Sequence, residues 1–372
     1  MSFLYENLLR LTWQQVTMWV IGGVLIYLAI KRDMEPSLLL PIGFGAILVN
    51  LPFSGAISQI IDGALKEGAL STLYEAGIAN ELFPLLLFIG IGAMCDFGPL
   101  LANPFLMMFG AAAQFGIFFT FCIGSMFFPI NDAAAIATIG AADGPTAIVV
   151  AQALKSQYLS AIMVAAYSYM ALVPIIQPPI IRLVTTKEER KIRMDYEAKQ
   201  VPIMTRILFP IILTIIAGLV APEAVQLVGF LMFGNLIKEC GVLKSLTHTA
   251  EGVLANLITL ILGISIASQM QAETFLTVET LMILCLGLFA FIFDTIGGAL
   301  FAKLLNLFLK KKVNPMIGAA GISAFPMSGR IIHKMGLEED NQNFLLMHSM
   351  GVNVSGQIAS VIAGGLMLSF FL

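Results

Sequence analysis

The sequence predicts an all-α polytopic membrane protein with about 9–11 membrane segments, two inverted repeats and broken or re-entrant helices. Three observations carry that reading. The chain is 58% hydrophobic and 12% charged over 372 residues, with a mean hydropathy of +0.92; a soluble domain carries about 25% charged residues. Several apolar runs, notably 82–94, 104–128, 159–181 and 276–309, exceed the roughly 10–14 residues of a buried core helix. Polar stretches rich in Gly and Pro then interrupt this apolar chain, around Asp143 and around Asn314.

Taken in order, the expected spans are 16–31, 38–52, 82–101, 104–129, 159–182, 203–220, 222–237, 253–270, 276–309, 314–330 and 343–371. A spanning helix needs about 20 residues, so the shorter segments are tilted, re-entrant or broken. Residues 1–15 carry Glu6 and Arg10 and lack a small-residue cleavage site, so the first run is retained as a membrane helix rather than a signal peptide. Segment 53–80 mixes small apolar residues with Asp62, Lys66, Glu67 and Glu75 and reads as amphipathic or re-entrant.

Charge sets the orientation. Residues 182–206 hold seven of the twenty Lys and Arg: Arg182, Lys187, Arg190, Lys191, Arg193, Lys199 and Arg206. Lys31 and Arg32, Lys238 and Lys244, and Lys310 to Lys312 follow other spans. The positive-inside rule places these loops in the cytoplasm. The chain divides into a first membrane repeat (1–182), a basic cytoplasmic linker (183–202) and a second membrane repeat (203–372). The repeat rests on motifs recurring in order. Pro36, Gly43-Phe44 and Asn50 return as Pro222, Gly229-Phe230 and Asn235; Asp96 returns as Asp294, Asn103-Pro104 as Asn314-Pro315, and Asp143 as Asn353. The competing explanation is shared composition among Gly/Ala-rich helices. An odd number of spans per unit inverts the second copy, the plan of many ion-coupled transporters.

The first break reads Gly140-Ala141-Ala142-Asp143-Gly144-Pro145-Thr146-Ala147. Gly-Pro frees backbone groups from a regular helix, so two half-helices are expected to meet at membrane depth. Asp143 is the one acid in 133–154, and a carboxylate costs about 3 kcal/mol there unless a cation or proton joins it. The alternative is a surface turn with Asp143 as a helix N-cap. The second break, 313–330, holds Pro315, Pro326, Gly318, Gly321, Gly329, Ser323, Ser328 and a terminal Arg330. Asn314 and Ser323 offer neutral oxygens that suit partly dehydrated Na⁺. Arg330 offers a fork for a carboxylate, or else a positive-inside anchor. A third polar patch, Asn353-Val354-Ser355-Gly356-Gln357, interrupts the last run. Tyr167 and Tyr169 are packing or functional groups, and Asp96 and Asp294 are further acids lining a pathway or pairing with a neighbouring helix.

Other chemistry is excluded. His248, His333 and His348 have no metal-ligand spacing, and Cys95, Cys122, Cys240 and Cys285 form no CxxC and read as packing residues. There is no P-loop, dinucleotide fingerprint or G-x-S-x-G. The net charge of -3 carries little information, and no basic surface suggests nucleic acid.

Residues 142–147, the stretch from Tyr167 through Gln177-Pro178-Pro179, residues 314–330, 234–242 and 353–365 together resemble the membrane β-subunit of sodium-pumping, biotin-dependent decarboxylases. The likeness covers almost the whole chain. It implies a multi-pass protein of the cell (inner) membrane that decarboxylates carboxybiotin carried by a partner subunit and drives Na⁺ outward. The expected partners are a biotin-carrier subunit, a carboxyltransferase α-subunit, a small membrane-anchored subunit and further copies of the chain. The resemblance implies Na⁺ ligation by Asp143, Asn314 and Ser323, with Asn353 added. It sets Tyr169 and Arg330 near carboxybiotin or the proton route, with Asp143 sharing in catalysis, and Gly318 in the same cofactor-side motif as a close-packing residue. Compactness favours the acyl-CoA decarboxylase members over the oxaloacetate type. Read from the residues alone, a Na⁺-coupled secondary carboxylate transporter is the alternative.

Overall fold

The computed structural model describes residues 10–32, 35–61, 63–195 and 200–372. Glu6, Asp62 and Lys199 of the sequence reading lie outside the described residues.

The first half runs α1 (Trp13–Arg32), α2 (Pro36–Val49), a short hairpin of β1 (Gln59–Ile61) and β2 (Ala64–Lys66), α3 (Ala69–Gly77) and α4 (Leu82–Met94). It continues with α5 (Met107–Ala113), α6 (Phe115–Gly124), α7 (Ile130–Ala137), α8 (Gly144–Ala153) and α9 (Leu159–Val184). The second half holds α10 (Ile203–Val220), α11 (Val225–Glu239), α12 (Ala255–Ile266), α13 (Val278–Phe308), α14 (Met316–Ala319), α15 (Met327–Glu339) and α16 (Leu346–Phe371). Six helices among the described residues are long and apolar enough to cross a membrane, and a seventh results if the bent pair α3 and α4 is one span. The amphipathic expectation for 53–80 resolves into the β-hairpin and α3.

Without a hydrophobic drive between helices in lipid, close packing of small residues holds them together. On α4 and α11, a Cβ on Gly92 would stand 1.9 Å from the Leu231 carbonyl oxygen, and one on Gly234 would stand 2.1 Å from that of Ile89. Burial grades the helices: 17% of the best window of α1 is buried, against 67% for α16. So α1 is peripheral and α16 runs through the centre.

Two segments do not cross. After α7 and a 3-10 turn (Thr138–Ala141), α8 returns to the end where α7 began. Asp132 at the start of α7 accepts hydrogen bonds from Ser156 Oγ (2.6 Å), Gln157 N (3.2 Å) and Gln157 Nε2 (3.3 Å), just beyond α8. The first break is therefore the tip of a stapled hairpin. The second break is also a hairpin tip, not the expected span over 314–330. Asn314 before α14 donates to the carbonyl oxygens of Arg190 (2.8 Å) and Ile192 (2.9 Å). Beyond α15, Asn343 donates to the same Arg190 oxygen at 2.8 Å.

The two hairpin bases lie at opposite ends of α9, whose 26 residues span about 39 Å. The basic linker forms one of those ends. It and the end of α9 are latched to α15 and the residue after it, α9 by Arg182–Glu338 (3.0 Å) and the linker by Arg190–Glu339 (2.7 Å) and Arg193–Asp340 (2.6 Å). On the exposed side, Arg193 holds the Asp340 carboxyl below its ordinary range, and Lys311 does the same to Asp195.

The element order corrects part of the expected internal alignment. Pro36 and Pro222 both precede or open comparable helices, α2 and α11, with Asn50 and Asn235 near their ends. By contrast, Asp143 is at a hairpin tip and Asn353 is within a continuous helix. Asn103 precedes a crossing segment, whereas Asn314 is at a hairpin base. Asp96 is exposed and lies 3.8 Å from Arg206, whereas Asp294 is buried in mid-helix. Single-residue matches between Gly/Ala-rich segments do not distinguish these element types.

Candidate functional site

The two hairpin tips touch. Ser323 N donates to the Ala141 carbonyl oxygen at 2.9 Å. The approach requires irregular backbone on both sides, which is tolerated at membrane depth because protein surrounds it. Ala142 closes the first tip in the left-handed region, at φ 53° and ψ 41°. A non-glycine residue held there costs on the order of 1–3 kcal/mol, a strain that concentrates at functional sites.

Asp143 follows, 3% exposed, at the N-cap of α8. It lies about 15 Å along α8 from the hairpin base, near the middle of a ~30 Å hydrocarbon core. Its Oδ2 accepts three hydrogen bonds, from Thr146 Oγ1 (2.7 Å), Ser360 Oγ (3.0 Å) and Gln357 Nε2 (3.2 Å). Both hydroxyls can rotate to present lone pairs, and the Gln357 amide can turn to present Oε1. The cluster is thus closed on itself and convertible to a set of oxygen ligands for a small hard cation. Among the described residues no group of three or more His, Cys, Asp or Glu could hold a metal ion, so transition-metal coordination is not what this set offers.

The polar face of α16 connects the tips. Asn353 Nδ2 donates to the carbonyl oxygens of Ala320 (3.1 Å) and Ile322 (2.7 Å), while its Oδ1 is buried without a partner. Ser323 Oγ donates to the Gly356 carbonyl oxygen at 2.9 Å. One turn on, Gln357 and Ser360 reach Asp143. Asp143, Ser323 and Asn353, expected from sequence, are therefore brought together across α16.

Four other expected residues lie elsewhere. Asn314 is fully buried but bound to the linker and, through Oδ1, to Met316 N at 3.1 Å; it organises a hairpin base and is not hydrogen-bonded to the Asp143 cluster. Tyr169 donates from Oη to the Leu284 carbonyl oxygen at 2.5 Å, facing α13. It is Tyr167 that lies on the Asp143 turn, since a Cβ on Gly144 would stand 2.5 Å from its Cζ. Gly318 lies against α13, where an added Cβ would stand 2.0 Å from the Gly298 carbonyl oxygen. Arg330 is exposed in the first turn of α15, and its guanidinium makes no ion pair among the described residues.

Thr146, Gln357 and Ser360 all hydrogen-bond to Asp143, although the sequence alone assigns none of them a role. A signal existed: Asn353, Gln357 and Ser360 recur at i, i+4 and i+7, one face of a helix. Gln177 was also passed over as an individual residue. It donates to the Ala319 carbonyl oxygen and to Ser328 Oγ, both at 2.8 Å, and so ties α9 to the second hairpin.

A buried carboxylate among neutral oxygens, where hairpins from opposite ends of a set of membrane-length helices meet, is a donor set suited to a small hard cation. Comparison with known proteins makes this specific. A family model described as the Na⁺-transporting oxaloacetate decarboxylase beta subunit matches residues 14–371. The chain is 44% identical to the probable oxaloacetate decarboxylase beta chain of Vibrio cholerae, covering 98% of this chain and 97% of that one. It is 46% identical to the methylmalonyl-CoA decarboxylase subunit beta of Propionigenium modestum (96% and 94% covered) and to the glutaconyl-CoA decarboxylase subunit beta of Acidaminococcus fermentans (96% and 93%). The alignments run over 420, 374 and 360 positions respectively, so the Vibrio chain carries segments that this 372-residue chain lacks.

The chain belongs to the membrane β-subunits of Na⁺-transporting decarboxylases. It is a multi-pass inner-membrane protein and one subunit of a decarboxylase that couples its reaction to Na⁺ transport.

Proposed function

We propose that this subunit removes CO₂ from carboxybiotin presented by a partner subunit and uses that step to move Na⁺ outward through the Asp143 cluster. The observation that carries the reading is the Asp143 carboxylate, buried where the two opposed hairpin tips meet and surrounded by groups able to turn oxygens toward it. Na⁺ is ligated by Asp143, Thr146 and Ser360, with Gln357, by Ser323 on the second tip and by the unpartnered Oδ1 of Asn353 on α16. Asn314 and Gly318 act at a distance, by fixing the base and the packing of the second hairpin.

Carboxybiotin arrives on the basic, cytoplasmic side, where Arg330 receives its carboxylate as a bidentate partner. Decarboxylation exchanges N–COO⁻ and a proton for N–H and CO₂. Loss of the negative charge at Arg330 changes the electrostatics of α15, whose preceding tip touches the first hairpin. The Na⁺ site then favours its outward-open arrangement. Each charge moved against 100 mV costs about 2.3 kcal/mol, so the two states must differ in ligand energetics by at least that much.

The two halves, each with one hairpin entered from opposite ends, form an inverted repeat around this site. The biotin carrier and carboxyltransferase α-subunit dock on the linker face, a small membrane-anchored subunit completes the complex, and the chain self-associates. The shorter alignments favour an acyl-CoA substrate for the assembly.

The test is decarboxylation by the purified complex as Na⁺ is varied. Activity is expected to rise with Na⁺ and Asp143→Asn to lose that dependence along with transport. A biotinylated protein is expected to co-purify. Activity indifferent to Na⁺, or an Asp143→Asn complex that pumps normally, overturns the reading. Carboxylate uptake by the chain alone in vesicles would instead identify a secondary transporter.

A further inference from the structure

Asp294 lies midway along α13 and is 1% exposed. Its Oδ1 accepts the backbone N–H groups of Gly116 (2.5 Å) and Ile117 (3.2 Å), at the break in the α5–α6 segment. Its Oδ2 has no hydrogen-bond partner. That oxygen faces the first hairpin, because a Cβ on Gly140 would stand 2.9 Å from it; one on Gly116 would stand 2.6 Å from Oδ1. The carboxyl group is thus clamped between a helix start and the hairpin tip, with one oxygen satisfied and the other bare.

Of the elements packed around it, α5 and α14 carry no ionisable side chain. The α6 helix carries Cys122, the first hairpin Asp132 and Asp143, α9 Tyr167, Tyr169 and Arg182, and α13 itself Glu279, Cys285 and Lys303. None hydrogen-bonds or ion-pairs with Asp294. Two amide donors favour the anion, and an unpartnered oxygen at membrane depth favours the acid. Na⁺ requires several oxygens at once, as Asp143 has. Asp294 offers one, which is enough for a proton.

One face of α13 leads from Asp294 toward the outward end. Thr280, Leu284, Gly287 and Asp294 fall at i, i+4, i+7 and i+14, on one face. Thr280 lines a polar cavity of about 650 Å³ at the outward end, with Gln157, Gln269, Gln271, Glu273 and Glu279. One turn below, Leu284 accepts the Tyr169 hydroxyl. At Gly287 an added Cβ would stand 3.0 Å from the Tyr169 ring.

We propose that Asp294 is a reversible proton-binding site, separate from the sodium cluster and loaded from the outward cavity past Tyr169. Replacing the carboxylate on a urea nitrogen by hydrogen consumes one proton for each CO₂ released. Asp294 supplies a place for that proton inside the membrane, a use that rests on the function proposed above.

Infrared difference spectroscopy of the whole complex in oriented proteoliposomes tests this. The C=O stretch of a buried protonated acid is expected in the wild type, lost in Asp294→Asn, shifted in Asp294→Glu and retained in Asp143→Asn. Its exchange with deuterium added on the outward side is expected to slow in Tyr169→Phe. Absence of the band in the wild type, its survival in Asp294→Asn, or its loss in Asp143→Asn alone overturns the proposal. Asp294→Glu keeps the test open if the asparagine variant fails to fold. Na⁺-activation curves on the same preparations judge the Asp143 reading independently of the band.

Discussion

Asp143 holds its position because one carboxylate oxygen takes three donors while strained Ala142 turns the chain beneath it. Removing one donor weakens the set without destroying it. Ser360→Ala should raise the Na⁺ needed for half-maximal decarboxylation by about three- to tenfold, the value of one hydrogen-bonding oxygen; a Na⁺ titration of the complex measures it. Tyr167 is a packing requirement, since its ring fills the space that a Gly144 side chain would need and its hydroxyl has no partner. Gly144→Ala should therefore lower the thermal unfolding midpoint in detergent, whereas Tyr167→Phe should leave it nearly unchanged. At this scale the sequence was informative where chemistry was rare. One acid in an apolar stretch stands out, as Asp143 does. Thr146 and Ser360 do not, because a hydroxyl in a membrane helix commonly satisfies itself on its own backbone.

The hairpins depend on their bases. Asp132 staples the first, and Asn314 with Asn343 fastens the second to the linker. Asn314→Ala removes both side-chain hydrogen bonds to the linker and leaves the Ile192 carbonyl oxygen seeking a partner, while that of Arg190 keeps Asn343. It should speed hydrogen exchange at linker amides around Arg190 to Arg193 while sparing Asp143. The Arg193–Asp340 latch has a definite pH sense. The Asp340 carboxyl is held below its ordinary range, so its contribution is present above the unfolded-state value, about 3.9, and is lost as pH falls through the lower folded value. Linker protection should be level from neutrality down to about pH 4 and fall below it, after correction for intrinsic exchange rates. Gly144-Pro145 and Pro315 marked the breaks in the sequence. The return of each half-helix to its own side was not marked, since an apolar, Ala-rich leg has the same pattern in a span and in a hairpin.

Across the whole molecule, the proposed transport requires the tips to part. They are joined in this arrangement by Ser323 N donating to Ala141 O, and both reach α16. A disulfide between Ala141→Cys and Ser323→Cys, in a background lacking the four native cysteines, should stop Na⁺ accumulation in proteoliposomes, and reduction should return it to the level of the same double variant never oxidised. Unimpaired pumping by the oxidised protein would mean that the tips move as one body. The central place of α16 explains why its neutral residues reach both tips. It also explains why Asn353 was noticed for the wrong equivalence: it is the bridge between two tips rather than the counterpart of one.

The sequence by itself determined the membrane class, the basic linker, the two polar breaks and the kinship, because each depends on composition, local backbone chemistry or long motifs that need no neighbours. Tertiary structure decided that the breaks are hairpins from opposite ends, that their tips meet at Asp143, that Asn314 faces the linker and Tyr169 faces α13, and that Asp294 has one bare oxygen. Those facts depend on which of many similar Gly/Ala-rich surfaces pack together. In lipid, where no water penalises a wrong apolar contact, that choice is made by shape and by a few buried hydrogen bonds between residues as far apart as Asp143 and Ser360.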